Sequence, residues 1–239
     1  MNILITGGSS GLGKATVELL ASDQLNNVYF TYNRHKDEAM VLANKFRNVH
    51  ALEVDFTNDA HINRLLENMS TMDLDVLINN AYVGLPQNAH FHKIRAEEFL
   101  CGFKNNLIPT IRITQEALLV FKKKRFGKIV NVLTASLYDL PPIGYSIYVG
   151  NKAYLQELSK VWNKEYTRYN IVSNCIAPEY MQTNFSDVDE RILEQMQMQH
   201  PLKRLLTTEE VAYVIKFLIE SSQQLNGVTI PINAAKTVT

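Results

Sequence analysis

The chain is short of several things, and each shortage excludes a class of protein. Among 239 residues only two are cysteines, Cys101 and Cys175. They build no disulfide framework and sit in no metal-ligand spacing, so no metal is expected. There is no surplus charge, because 24 Lys and Arg face 24 Asp and Glu. A neutral balance gives no unspecific pull toward nucleic acid or an anionic membrane. No apolar run reaches the length of a membrane span. The first residues read as an apolar strand, without the charged region, apolar stretch and cleavage site of a signal peptide. The expectation is a cytoplasmic protein with neither nucleic-acid nor membrane partners. Internal repeats, low-complexity tracts and Pro/Gly-rich linkers are also missing, so one domain over 1–239 is the simplest organisation. The single basic cluster, Lys122-Lys123-Lys124-Arg125, reads as a solvated helix end where cations suit the dipole.

What is present is an alternation of two periods. Apolar, strand-like runs occupy 2–6, 28–32, 49–54, 76–79, 128–133, 172–177 and 228–232. Several are continuously apolar, as expected of parallel strands covered on both faces. Between them, 15–21, 61–69, 111–121, 153–162 and 209–219 carry apolar residues at helical spacing. Strand–helix alternation of this kind predicts a doubly wound α/β fold with a parallel sheet of about seven strands. Two loops stand out: 136–145, with Pro141-Pro142 and Gly144, and 180–204, which holds a short helix around 188–198. In an open α/β sheet both belong on the ligand-binding edge.

The chemistry-bearing residues follow that frame. Thr6-Gly7-Gly8-Ser9-Ser10-Gly11-Leu12-Gly13 follows a strand and opens a helix, the context of a phosphate-binding turn. Its glycines would let the backbone approach a pyrophosphate, although they depart from the G-x-G-x-x-G spacing. The second strand ends Tyr32-Asn33-Arg34, where an acidic residue would read the ribose of NAD. None is there, and Arg34 with Asn33 suits a 2′-phosphate, which favours NADP(H) over NAD(H). Asp55, after the third strand, reads either as a partner of the adenine amino group or as a helix cap. Tyr148 and Lys152 lie four apart, on one face if helical. An ammonium beside a phenol favours the phenolate, so Tyr148 could exchange a proton near neutral pH.

In these motifs and their order the chain resembles the short-chain dehydrogenase/reductase family, close to its 3-oxoacyl-ACP reductase-like members. The T-G-x-x-x-G-x-G loop, Asp55, Asn79-Asn80-Ala81, Asn106, Tyr148-x-x-x-Lys152, Asn174, Pro178 and Thr183 carry the likeness. So does the tail, with Pro201-Leu202, Arg204, Glu210-Val211-Ala212 and Asn226-Gly227. The resemblance implies a single-domain Rossmann fold and NADP(H)-dependent hydride transfer between a small-molecule carbonyl and its alcohol. It implies Tyr148 as acid/base, Lys152 on the nicotinamide ribose hydroxyls, and Asn106 in a water relay to Lys152. Gly7 and Ser9 through Gly13 would cradle phosphates, Asn80 and Ala81 would flank the adenosine ribose, Pro178 would border the cofactor, and Thr183 would meet the carboxamide. A homodimer or homotetramer through the long helices 94–121 and 148–168 is also implied.

The chain departs from the family at four places. The serine that polarises the carbonyl falls on Ala135, between Thr134 and Ser136. Counting from Asn131 points to Thr134 and counting back from Tyr148 points to Ser136, with Ser136 slightly favoured for residue type and position. The usual Gly after Asn-Asn-Ala is Tyr82, which could crowd the cofactor or close over it. The Gly after Pro178 is Glu179, a concern if that backbone needs positive φ. The C-terminal glycine pair is Ala234-Ala235. These changes keep open a non-catalytic NADP-binding sensor of the same fold. An epimerase or dehydratase acting on a nucleotide sugar is disfavoured, because little chain follows the last strand. Tyr138, Pro141, Pro142, Tyr145, Tyr180, Met181, Phe185, Met196 and Met198 read as walls for a moderately hydrophobic carbonyl compound or as loop packing.

Overall fold

In the computed structural model seven parallel strands form one sheet: β1 (Asn2–Ile5), β2 (Asn27–Tyr32), β3 (Val49–Glu53), β4 (Val76–Asn79), β5 (Gly127–Val132), β6 (Ile171–Pro178) and β7 (Thr229–Ile232). The structure describes residues 1–85, 89–183 and 189–236. Strand order is β3-β2-β1-β4-β5-β6-β7. The chain therefore winds outward from β1 to β3, returns to β1's other side and winds out again. The reversal between β1 and β4 creates the crevice in which α/β folds bind ligands.

Helices α1 (Gly11–Ala21), α2 (Lys36–Lys45), α3 (Asp59–Met69), α4 (Ala96–Lys124), α5 (Ser146–Tyr166), α6 (Glu190–Gln199) and α7 (Thr208–Glu220) link the strands. Two cores result. Alternate side chains of β1, Ile3 and Ile5, pack with Leu20 of α1, Leu42 of α2 and Ile215 of α7. Leu4 points the other way, into a core with Leu65 of α3, Phe121 of α4 and Leu155 of α5. The period-2 alternation of a strand thus feeds both faces. Helix α2 is polar, with only Ala39 and Leu42 buried, so its apolar spacing marks it weakly.

Local chemistry fixes the helix ends. The Asn58 side chain caps α3, accepting from the N–H groups of Ala60 and His61. Thr207 and Glu210 form a capping box at the start of α7. Pro231 lies in β7, an edge strand, where a missing donor is tolerated. The excursion after β6 is closed at its base by a bridge between Met181 and Leu206, and α6 within it buries none of its residues. Among the described residues no helix is long and apolar enough to cross a membrane.

Candidate active site

One cleft of about 780 Å³ runs along the carboxyl edge of the sheet. Its walls come from residues after all seven strands, from Gly7 after β1 to Asn233 after β7.

The glycine loop forms one end. Gly7 and Gly11 have φ of +69° and +50°, a region that glycine enters without strain. A Cβ on Gly13 would lie 1.9 Å from the Gly7 carbonyl oxygen, and one on Gly8 would lie 2.5 Å from Phe30. The backbone can take this path only without side chains. Thr31 holds the loop from the sheet: its Oγ1 accepts from Gly7 N–H at 2.9 Å and its carbonyl from Gly8 N–H at 2.8 Å. Ser10 precedes α1 but its side chain makes no capping bond, and the first turn of α1 carries no acid. Ser9, Ser10, Gly11, Leu12 and Gly13 all line the cleft, so the helix N-terminus faces it with donors and positive potential. These features fit a dinucleotide pyrophosphate.

Asn80 serves the loop more than the crevice. Its Nδ2 donates to the carbonyls of Thr6 and Gly7 at 2.9 and 2.8 Å. Thr6 Oγ1 in turn accepts from the N–H groups of Asn80 and Ala81, both at 3.0 Å. Asn33, Arg34 and His35 line the far end. Asp55 stands aside from the wall, which Val54 and Phe56 form. Its carboxylate accepts from the N–H and hydroxyl of Thr57 at 2.8 Å each. Burial pushes that carboxyl up, but the two bonds, with His61 and Arg34 nearby, bring it below its ordinary value. The cap of α3 is Asn58, so Asp55 is a turn-former rather than a helix cap.

At the other end Tyr148 and Lys152 lie in the first two turns of α5, and both line the cleft. The hydroxyl that meets Tyr148 is that of Thr134. Ser136, favoured by counting back from Tyr148, lies one step around a 3-10 turn at Ala135–Leu137. Its N–H donates to Thr134 Oγ1 at 3.3 Å. Burial pushes the Tyr148 phenol above its ordinary value, the Thr134 bond opposes this, and Tyr82 and Tyr145 add to it. Lys152 is fully buried and burial lowers it to about 8. Its Nζ donates to the Val132 carbonyl at 2.7 Å and lies 5.7 Å from the Tyr148 ring centroid. The lysine thus donates into β5. Burial dominates the phenol, so the tyrosine rises where the sequence spacing alone predicts a fall.

Asn106 is buried in α4, three residues before Pro109. Its Oδ1 accepts from Val83 N–H at 2.6 Å, and its Nδ2 donates to the carbonyls of Val83 and Gly102. Its carbonyl accepts from the Thr110 hydroxyl at 2.7 Å. These bonds tie the segment after β4 to α4, and none of them joins Asn106 to Lys152.

Of the expected substrate walls, Pro142, Tyr145, Tyr180 and Met181 line the cleft. Tyr138 does not, since its hydroxyl accepts from Gln156 Nε2 at 2.6 Å. Met198 is exposed on α6, and Phe185 lies outside the described residues. Thr183 packs on the glycine loop: a Cβ on Gly11 would meet its Cβ and Cγ2 at 3.3 Å. Glu179 takes no positive φ, so its backbone is unstrained. Its carboxylate accepts from Lys236 Nζ at 2.5 Å and faces His200 Nε2 at 3.6 Å. Thr31, His35 and Lys236 are site residues the motifs did not mark. Only the register of β2 against the loop and the return of the tail reveal them.

A glycine cradle, a helix N-terminus and a buried Tyr–Lys pair on one sheet edge define a dinucleotide-dependent oxidoreductase of the doubly wound type. The chain belongs to the short chain dehydrogenase family, whose model matches residues 1–192. It is 31% identical over 238 residues to the 3-oxoacyl-[acyl-carrier-protein] reductase FabG of Aquifex aeolicus (strain VF5), covering 96% of this chain and 94% of that one. It is also 31% identical over 220 residues to carbonyl reductase family member 4 of Xenopus laevis, covering 91% and 90%. Among solved structures, YwfH, described as an NADPH dependent reductase involved in bacilysin biosynthesis, superposes with a TM-score of 0.87. That match spans 99% of each chain at 23% identity and speaks to the fold. The protein is accordingly an NAD(P)-dependent oxidoreductase.

Proposed function

We infer that the protein is an NADP(H)-dependent reductase of a small carbonyl compound, with Tyr148 as the acid that protonates the carbonyl oxygen. The observation that carries this is that Thr134, Tyr148 and Lys152 line the same cleft as the glycine cradle. When bound, the nicotinamide supplies the hydride. Gly7 through Gly13 would hold phosphate oxygens on backbone N–H groups, and Arg34 with Asn33 would hold the 2′-phosphate. Lys152 would hold the ribose hydroxyls. The Thr134 hydroxyl polarises the carbonyl while Tyr148 delivers its proton to the oxygen. A phenol kept high by burial stays protonated at neutral pH, which suits an acid in the reductive direction.

The FabG-like relatives support carbonyl reduction by likeness. Pro142, Tyr145, Tyr180 and Met181 give the substrate end an aromatic, apolar wall, which suits an uncharged, moderately hydrophobic carbonyl. NADPH oxidation across a panel of aldehydes, ketones and 3-oxoacyl thioesters tests the reading. Tyr148→Phe should lose turnover and keep cofactor binding, and unchanged turnover in that variant would sink the assignment.

The reading includes self-association. Leu100 and Ile108 on α4, and Tyr154 and Val161 on α5, are exposed apolar side chains on helices that pack together. Such faces suit an isologous interface. Sedimentation should show a dimer or tetramer, and a monomer at working concentration would count against it.

A further inference from the structure

Tyr82 stands where the backbone on both sides is clamped. Ala81 N–H donates to Thr6 Oγ1 at 3.0 Å, and Val83 N–H donates to Asn106 Oδ1 at 2.6 Å. Between the clamps the backbone has little freedom, so the phenol ring is the part that can move, by rotation about its own side-chain bonds. The ring projects onto the catalytic pair. It meets the Tyr148 ring edge-on, centroids 4.9 Å apart at 80°. Lys152 Nζ lies over its face, 5.2 Å from the centroid. Asn151 Nδ2 donates to its hydroxyl at 3.3 Å and to the Gly102 carbonyl at 3.2 Å.

We propose that Tyr82 is a rotating gate that covers Lys152 and must swing aside for the dinucleotide to reach it. The proposal rests on the cofactor reading above, because it takes Lys152 as the group that receives the ribose. The ammonium has three donors. One is spent on Val132, and the open side of the cation lies against the Tyr82 and Tyr148 rings. Cofactor entry therefore exchanges a cation–π contact and an aromatic pair for ribose hydrogen bonds. The bond that Asn151 gives its hydroxyl is neutral and 3.3 Å long, weak enough to break on each binding event. A conformation competent for only a fraction of the time lowers the apparent affinity by that fraction. Glycine, which the family resemblance places here, has no ring to move.

The test is stopped-flow NADPH binding followed by nucleotide fluorescence, with no carbonyl substrate present. Tyr82→Ala should bind about tenfold faster and correspondingly tighter, the size expected from removing one cation–π contact and one aromatic pair. Tyr82→Phe, which keeps the ring and loses the bond from Asn151, should fall between Tyr82→Ala and the native protein. Should Tyr82→Ala not fold, as judged by circular dichroism, Tyr82→Phe decides alone by binding faster than the native chain. Equal association rates in native and variant proteins, or slower binding in Tyr82→Ala, would overturn the gate while leaving the cofactor reading intact. No NADPH binding by any of them would overturn the cofactor reading itself.

Discussion

Ser136 N–H donates to Thr134 Oγ1 at 3.3 Å, and the Thr134 side chain is the one that opposes the rise burial imposes on the Tyr148 phenol. A hydroxyl already on the acid is placed to share the carbonyl oxygen with it. Thr134→Ala should therefore lower kcat by about 10²–10³-fold, as loss of one preorganised donor does. Ser136→Ala should leave kcat close to native. Steady-state rates of NADPH oxidation on the best carbonyl of the panel check the order, and the reverse order would reassign the role to Ser136.

Lys152 makes stability depend on pH in a definite direction. Burial lowers it from its ordinary value of 10.5 to about 8 in the folded chain. Below about 8 both folded and unfolded chains hold the proton, and the full cost of the buried cation is present. Between about 8 and 10.5 the unfolded state holds more protons, so stability rises with pH across that window. The total is roughly 3 kcal/mol at 1.36 kcal/mol per unit. Urea melts of the native protein and Lys152→Met from pH 7 to 11 should diverge across this window. Parallel curves would show that the lysine is not desolvated.

Arg34 lines the cleft at the end of β2, with Asn33 before it and no acid beside it. Hydrogen bonds to a charged group are worth about 1.5–3 kcal/mol, so Arg34→Ala should raise the Kd for NADPH by about 10–100-fold. NADH binding should change little. A variant that weakens both cofactors equally would place Arg34 away from the 2′-phosphate.

Ala234 and Ala235 both take positive φ, +49° and +58°, in the turn after β7. The left-handed region costs a residue with a Cβ about 1–2 kcal/mol. Glycine loses about 0.5–1 kcal/mol more chain entropy on folding. Ala234→Gly and Ala235→Gly should each stabilise by the difference, about 0.5–1 kcal/mol. Thermal melts with linked substitutions measure it, and a lowered Tm would show that the alanine methyls contribute packing that outweighs the strain.

The sheet was legible because β1, β4, β5 and β6 are short, mostly apolar runs without strict alternation, the mark of strands buried on both faces. The glycine loop and the Tyr148–Lys152 pair were legible for a related reason: each is a local pattern whose spacing carries its geometry. The polar helix α2 gave little signal because it buries only Ala39 and Leu42. The choice between Thr134 and Ser136 was not legible, because a 3-10 turn decides which hydroxyl faces Tyr148. Counting residues along an extended strand cannot anticipate it. The direction of the Tyr148 shift was hidden for the same kind of reason. Spacing put the ammonium on the right face, but burial of the phenol, set by packing from other elements, decides the direction. The Glu179–Lys236 contact joins residues brought together only when the tail returns past β6.

The bridge between Met181 and Leu206 brings both ends of the excursion after β6 to one point beside the sheet. Those two ends stand together, and α6 between them lends no residue to either core. Replacing α6 would leave both cores and every hydrogen bond of the sheet as they are. The sheet and its glycine cradle are thereby insulated from change in α6, which is free to drift in evolution or to be exchanged by design.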